Sequence, residues 1–205
     1  MDALLEERFA SLIPEDPALQ VYGEVNSYLR YNVAWLRRRF DPVLIHLVRD
    51  GRDFVRSAWV REVGLPSQPQ LPIVPADGEP HADRWGRMSR FERICWIWAH
   101  TNGMLADAVE RRVRLEDVLS SYAAFREGVL EPAALDVGEA RWREAVARPR
   151  NTSEQYRARR WLREKIGRKT LPPAQPLPPW REWSREYRDA FWEICGPVME
   201  RLGYT

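Results

Sequence analysis

The run Val43-Leu44-Ile45-His46-Leu47-Val48 constrains this chain most. It is nearly all apolar, and it is bounded by the turn signal Asp41-Pro42 and by the charged string Arg49-Asp50-Gly51-Arg52-Asp53. Such a run suits a strand buried on both faces of a parallel sheet. Upstream, Leu19-Gln20-Val21-Tyr22-Gly23-Glu24-Val25 has the β-branched and aromatic content of another strand. Between them, Asn26 or Ser27 can cap a helix with Tyr28, Leu29, Val33, Leu36 and Phe40 on one side and Arg37-Arg38-Arg39 on the other. Strand, helix and strand make one βαβ unit, which predicts a right-handed crossover and an α/β fold with a parallel sheet.

The rest of the chain reads mainly as helix. Periodic apolar residues predict helices over 2–13, 54–63, 89–109, 121–130, 138–146, 153–165 and 182–202, and a short strand over Arg112 to Val118 that ends in acids. Two tracts break the pattern. Gly64 to Gly86 carries Pro66, Pro69, Pro72, Pro75 and Pro80 and reads as a loop suited to a lid, and Leu171 to Pro179 is a second proline-rich connection.

At 205 residues the expectation is a single domain, 1–205, with one sizeable core. Hydrophobic residues at 44% and charged residues at 30% exclude a wholly disordered chain. No apolar run approaches the ~20 residues of a bilayer span, and the acidic start Met1-Asp2-Ala3-Leu4-Leu5-Glu6-Glu7 has no apolar signal region. A cytoplasmic location is the default expectation. Cys95 and Cys195 each sit in an apolar helical pattern and read as buried thiols rather than a disulfide. Neither the cysteines nor His46, His81 and His100 have metal-ligand spacing. His46, inside the apolar run, reads as a core histidine.

A net charge of +2 argues against general nucleic-acid binding. The 32 basic residues include only two lysines, Lys165 and Lys169, and the many arginine forks suit phosphate or sulfate. In an open α/β sheet, ligands bind beyond the carboxyl ends of the strands, where Arg49 falls. An arginine fork with a hydroxyl such as Ser57 is good chemistry for a phosphate monoester. Composition alone leaves anion binding and a structural ion pair equally open for Arg49 and Asp53.

The string Leu47-Val48-Arg49-Asp50-Gly51-Arg52-Asp53-Phe54-Val55-Arg56-Ser57 resembles the 3′-phosphate-binding motif of sulfotransferases that use 3′-phosphoadenosine 5′-phosphosulfate (PAPS). Arg114-Leu115-Glu116-Asp117-Val118-Leu119 is similar to the family's Arg-Tyr-Glu-Asp-Leu segment, with Leu115 in place of the usual Tyr. Phe191 through Leu202-Gly203-Tyr204 looks like its closing helix and Leu-Gly-Tyr ending. The likeness spans roughly Tyr22 to Tyr204, and only the Arg49 to Ser57 block is specific. It implies a three-layer, P-loop-like parallel sheet flanked by helices. It implies PAPS as sulfuryl donor, no metal, and transfer to a hydroxyl or amine of a small-molecule or carbohydrate acceptor.

In that resemblance Arg49 and Ser57 hold the 3′-phosphate. Glu24 falls where the family places a catalytic base, and a capping or salt-bridge role for it is equally open. Arg168 and Lys169, beside Gly167 in a basic segment ahead of the last helix, match a segment that closes over the 3′-phosphate. One family element is missing. The first strand and the Lys-Ser-Gly-Thr-Thr-like loop for the 5′-phosphosulfate have no counterpart, since no Gly precedes Gly23 and no Lys precedes Lys165. Three expectations follow: an N-terminally truncated enzyme, a partner that supplies the loop, or a degenerate, non-catalytic subunit that keeps the 3′-phosphate site.

Overall fold

The computed structural model describes residues 6–7, 21–61, 63, 73–148 and 175–205, in two compact units, Met1–Val43 and Leu44–Thr205. Apart from Glu6 and Glu7, which are helical, the helix expected over 2–13 lies outside the described residues, as do the helix expected over 153–165, most of the Gly64 to Gly86 tract's first half, and Arg168 and Lys169.

In the first unit, a 3-10 turn Ser27–Tyr31 leads into α1 (Val33–Phe40). Trp35 and Leu36 are buried with Leu29 packed against them, and Trp35 meets Phe40 edge-to-face at 5.5 Å. The triplet Arg37-Arg38-Arg39 occupies the last turn, where cations complement the partial negative charge of the helix end. Asp41, in the left-handed region at φ 46°, terminates the helix by returning its N–H to the carbonyl of Arg37.

The second unit contains β1 (His46–Val48), α2 (Gly51–Trp59), a 3-10 turn Ala82–Arg87, α3 (Arg90–Ala108) and β2 (Arg112–Arg114). There follow α4 (Leu115–Ser120), α5 (Tyr122–Phe125), a π turn Arg126–Leu130, α6 (Glu139–Ala147), a 3-10 turn Trp180–Glu182 and α7 (Arg185–Arg201). β1 and β2 are parallel, with His46 opposite Arg112, Leu47 opposite Val113 and Val48 opposite Arg114.

The architecture corrects the expected three-layer, P-loop-like sheet. The chain is mostly helical and its described sheet is this one strand pair. Two physical reasons account for the difference. First, Val21 to Val25 form no strand and are exposed, Val25 at 94%. β propensity expresses packing on a pleated surface and fails without neighbours. Second, the run around β1 is not covered on both faces: His46 is 3% exposed and Val48 is fully buried, but Leu47 is 43% exposed. The strand is half-buried with period two, which is the pattern of a sheet with one open face. A βαβ unit does exist. Its first strand is β1 and its second is β2, and Val21 to Val25 contribute no strand to it.

The core lies between α3, α7 and α2. Phe91, Ile94, Cys95 and Trp98 of α3 meet Phe191, Ile194, Cys195 and Met199 of α7, with Val55 and Ala58 of α2 against them. Burying each large side chain contributes about 1.5–3 kcal/mol. Phe91 stacks on Tyr187 at 4.3 Å and meets Trp183 edge-to-face at 5.2 Å. The Cys195 thiol donates to the carbonyl of Cys95 at 3.4 Å, and both cysteines are free and buried. The helix starts are chemically specified. Ser89 and Glu92 form a reciprocal capping box on α3, and Ser184 Oγ accepts from the Tyr187 N–H on α7.

Candidate anion site at the strand ends

The carboxyl ends of β1 and β2 carry a set of interlocked charges. Asp50 caps α2: its Oδ1 accepts from the Arg52 N–H at 2.8 Å, and its carboxylate also receives the Arg52 guanidinium, Nη2 to Oδ2 at 2.6 Å and Nε to Oδ1 at 3.0 Å. This paired fork is the main cause that raises the Arg52 pKa. The Asp50 N–H donates to Glu116 Oε1 at 2.9 Å, across from β1 to the start of α4. Glu116 Oε2 accepts from the Tyr204 hydroxyl at 2.9 Å. Burial first, and this hydrogen bond second, push the Tyr204 phenol well above its ordinary range.

The chain end is tied to the same place. Arg114 Nη2 donates to the carbonyls of Leu202 and Gly203, and its guanidinium lies over the Tyr204 ring at 4.7 Å. Gly203, at φ 74°, supplies the left-handed turn that brings those carbonyls to Arg114, and a Cβ there would strike the guanidinium. Arg52 Nη1 donates to the carbonyl of Thr205 at 3.0 Å and covers the Trp180 ring at 5.1 Å. Asp50 thus pairs with Arg52, while Glu116 is held by the Asp50 N–H and the Tyr204 hydroxyl and Arg114 by the carbonyls of the chain end.

Arg49 is the exception at these strand ends. Its carbonyl accepts from the buried Trp98 indole N–H at 3.0 Å, which fixes the backbone, while the residue is exposed and its guanidinium has no partner among the described residues. The positive end of α2 is already capped by Asp50, so an incoming anion has Arg49 as its available cation here. Ser57 lies on the second turn of α2, half-buried, beside the Asp53–Arg56 ion pair at 3.3 Å. Its hydroxyl makes no hydrogen bond among the described residues. Arg49 and Ser57 therefore belong to the same strand-helix element.

Glu24 is in the first unit, in an irregular exposed segment rather than at a strand end. Its Oε2 accepts from the Tyr22 hydroxyl at 2.9 Å and its Oε1 from Asn26 Nδ2 at 3.0 Å. His46 Nε2 pairs with Asn102 Oδ1 at 3.0 Å inside the core. No cluster of three metal-ligating side chains occurs among the described residues, and no described helix is long and apolar enough to cross a membrane. The polar node around Asp50, Arg52, Glu116 and Tyr204 escaped the sequence reading. Its signals were present as the Arg-Leu-Glu-Asp and Leu-Gly-Tyr strings, but nothing in a string tells which distant partner a Glu or Tyr will meet. Comparison of the chain with protein-family models, with curated proteins and with solved structures found no match.

Proposed function

We propose that this chain binds a 3′-phosphorylated adenine nucleotide, PAPS, through Arg49 and Ser57, and acts as a sulfotransferase on a hydroxyl or amine of a small-molecule or carbohydrate acceptor. The observation that carries the reading is Arg49: an exposed guanidinium without a partner among the described residues, at the carboxyl end of a parallel strand where Asp50 and Glu116 are already engaged. Ser57 adds a hydroxyl donor from the following helix. The resemblance of the Arg49 to Ser57 string to a 3′-phosphate motif supplies the nucleotide. Arg168 and Lys169 are proposed as further cations for the same phosphate. In the transfer step the acceptor oxygen or nitrogen forms a bond to sulfur, the bond from sulfur to the bridging oxygen breaks with 3′-phosphoadenosine 5′-phosphate leaving, and the acceptor proton passes to a base, for which Glu24 is the candidate that the family resemblance supplies. No metal enters this scheme, and the setting proposed is cytoplasmic.

A second reading is nucleotide binding without transfer. It is favoured by Glu24, whose two oxygens are both occupied by Tyr22 and Asn26. Calorimetry with 3′-phosphoadenosine 5′-phosphate and with adenosine 5′-phosphate tests the common core of both readings. The expected result is that Arg49→Ala weakens the first ligand alone; equal losses for the two nucleotides would remove the assignment. Sulfate transfer from PAPS to a panel of alcohols and amines then separates enzyme from binding subunit.

A further inference from the structure

β2 carries a further basic residue, Arg112, at the end of the strand opposite Arg114, whose surroundings suit a ligand. Arg112 pairs in register with the buried His46 and is itself half-buried. Its Nε is buried without a hydrogen-bond partner, and its Nη1 makes only a long 3.5 Å contact to the carbonyl of Arg201. No carboxylate forms an ion pair with it among the described residues. The outer part of the guanidinium faces solvent without a counter-charge, and an anion held there would also satisfy the buried Nε–H.

The space beside it has the size and lining for such a ligand. A cavity of about 320 Å³ opens between β2, α4, α5 and the chain end. Arg112 and Arg114 line it together with Asp117, and Val113, Val118 and Leu202 give it apolar walls. That volume is at the lower end of small-molecule sites. Arg114 is held by neutral carbonyl groups, so it keeps its full charge there. Two arginines against one exposed aspartate leave a single net positive charge, which matches a monoanion and disfavours a phosphate dianion. The planar arginine fork fits a carboxylate through two parallel hydrogen bonds.

We propose that this cavity is a binding site for a small organic monocarboxylate, with the carboxylate on Arg112 and a short apolar tail against Val113, Val118 and Leu202. The site is independent of the nucleotide reading, because Arg49 and Ser57 do not line it.

The test is a titration of the full chain with hexanoate, with the uncharged hexanamide as control, followed by amide chemical shifts and calorimetry. Saturable hexanoate binding is expected, with shifts centred on residues 112–118 and weaker or no binding of the amide. Arg112→Gln should weaken hexanoate about ten- to hundredfold, the worth of a charge-assisted hydrogen bond. Asp117→Asn should tighten it by removing the like charge, and Arg49→Ala should leave it unchanged. Should Arg112→Gln fail to fold, the Asp117→Asn variant and the amide control still decide the matter. Absence of saturable binding, equal binding of acid and amide, weaker binding by Asp117→Asn, or loss of binding in Arg49→Ala would each overturn the proposal.

Discussion

The Tyr204 hydroxyl donates to Glu116 at 2.9 Å and thereby joins the last residues of the chain to the start of α4, 88 positions earlier. Because the other Glu116 oxygen receives the Asp50 N–H at the end of β1, one carboxylate links three distant segments. Tyr204→Phe should cost about 1.5–3 kcal/mol, since it deletes a hydrogen bond to a charged group in a part-buried place. The same contact predicts alkaline behaviour. The Tyr204 phenol is held above its ordinary value of 10.0, so the folded chain binds this proton more tightly than the unfolded one. Its contribution is complete below pH 10 and is lost as the pH rises above that value. Urea unfolding of both proteins on either side of pH 10 checks this. Equal alkaline losses in Tyr204→Phe and the parent chain would refute it.

Acid sensitivity should come from the other end of β1. Burial, and less strongly the nearby Arg112 charge, lower the His46 pKa from 6.5, against an opposing pull from the Asn102 hydrogen bond. With the folded value depressed, the unfolded chain takes up the proton first. Stability is then complete above pH 6.5 and declines as pH falls below it. His81 is also lowered, by burial and by Arg84, so the His81→Ala chain isolates the core histidine. A proton NMR titration that placed the His46 midpoint at or above 6.5 would contradict the prediction.

Gly51 opens α2 where helix and core touch. A Cβ at this position would lie 3.1 Å from Met199 Sδ and 3.2 Å from both Phe191 and Trp98. Alanine would gain up to about 1 kcal/mol in helix propensity but would overpack three core side chains, at about 1–3 kcal/mol. The net expectation for Gly51→Ala is a loss of about 1–2 kcal/mol, read from thermal unfolding. A stabilised Gly51→Ala chain would mean that Met199 yields freely.

These positions also indicate what could be read from the sequence. α3 and α7 were legible because their cores recur at helical spacing and their starts are written in Ser89, Glu92 and Ser184. β1 was legible as a strand but not as a half-open one, since Leu47 is as apolar as Val48 and only the missing neighbour on its face tells them apart. The described part of the strand expected at 19–25 failed for the same reason: Val21, Tyr22 and Val25 have strand propensity but no strand partner among the described residues. Arg49 and Ser57 could be placed on one strand-helix element from their spacing. The Asp50, Glu116 and Tyr204 junction could not, because its partners are more than 60 residues apart and meet only through the tertiary fold.

The last prediction separates two arginines three positions apart. Arg52 holds Asp50 through Nε and Nη2, reaches the Thr205 carbonyl and covers Trp180. Arg52→Ala would leave the Asp50 carboxylate in a partly buried site with only its backbone contact, and should cost about 1–3 kcal/mol of stability. Among the described residues the Arg49 guanidinium has no partner, and the backbone bond to Trp98 does not need it, so Arg49→Ala should change stability by no more than about 0.5 kcal/mol. Binding of 3′-phosphoadenosine 5′-phosphate should show the reverse order for the folded proteins. Arg49→Ala should lose about 1.5–3 kcal/mol, Ser57→Ala somewhat less, and Arg52→Ala little. Urea unfolding and calorimetry on the same three variants measure both properties. If Arg49→Ala were as unstable as Arg52→Ala, the guanidinium of Arg49 would be part of the scaffold, and the anion site would have to be sought elsewhere.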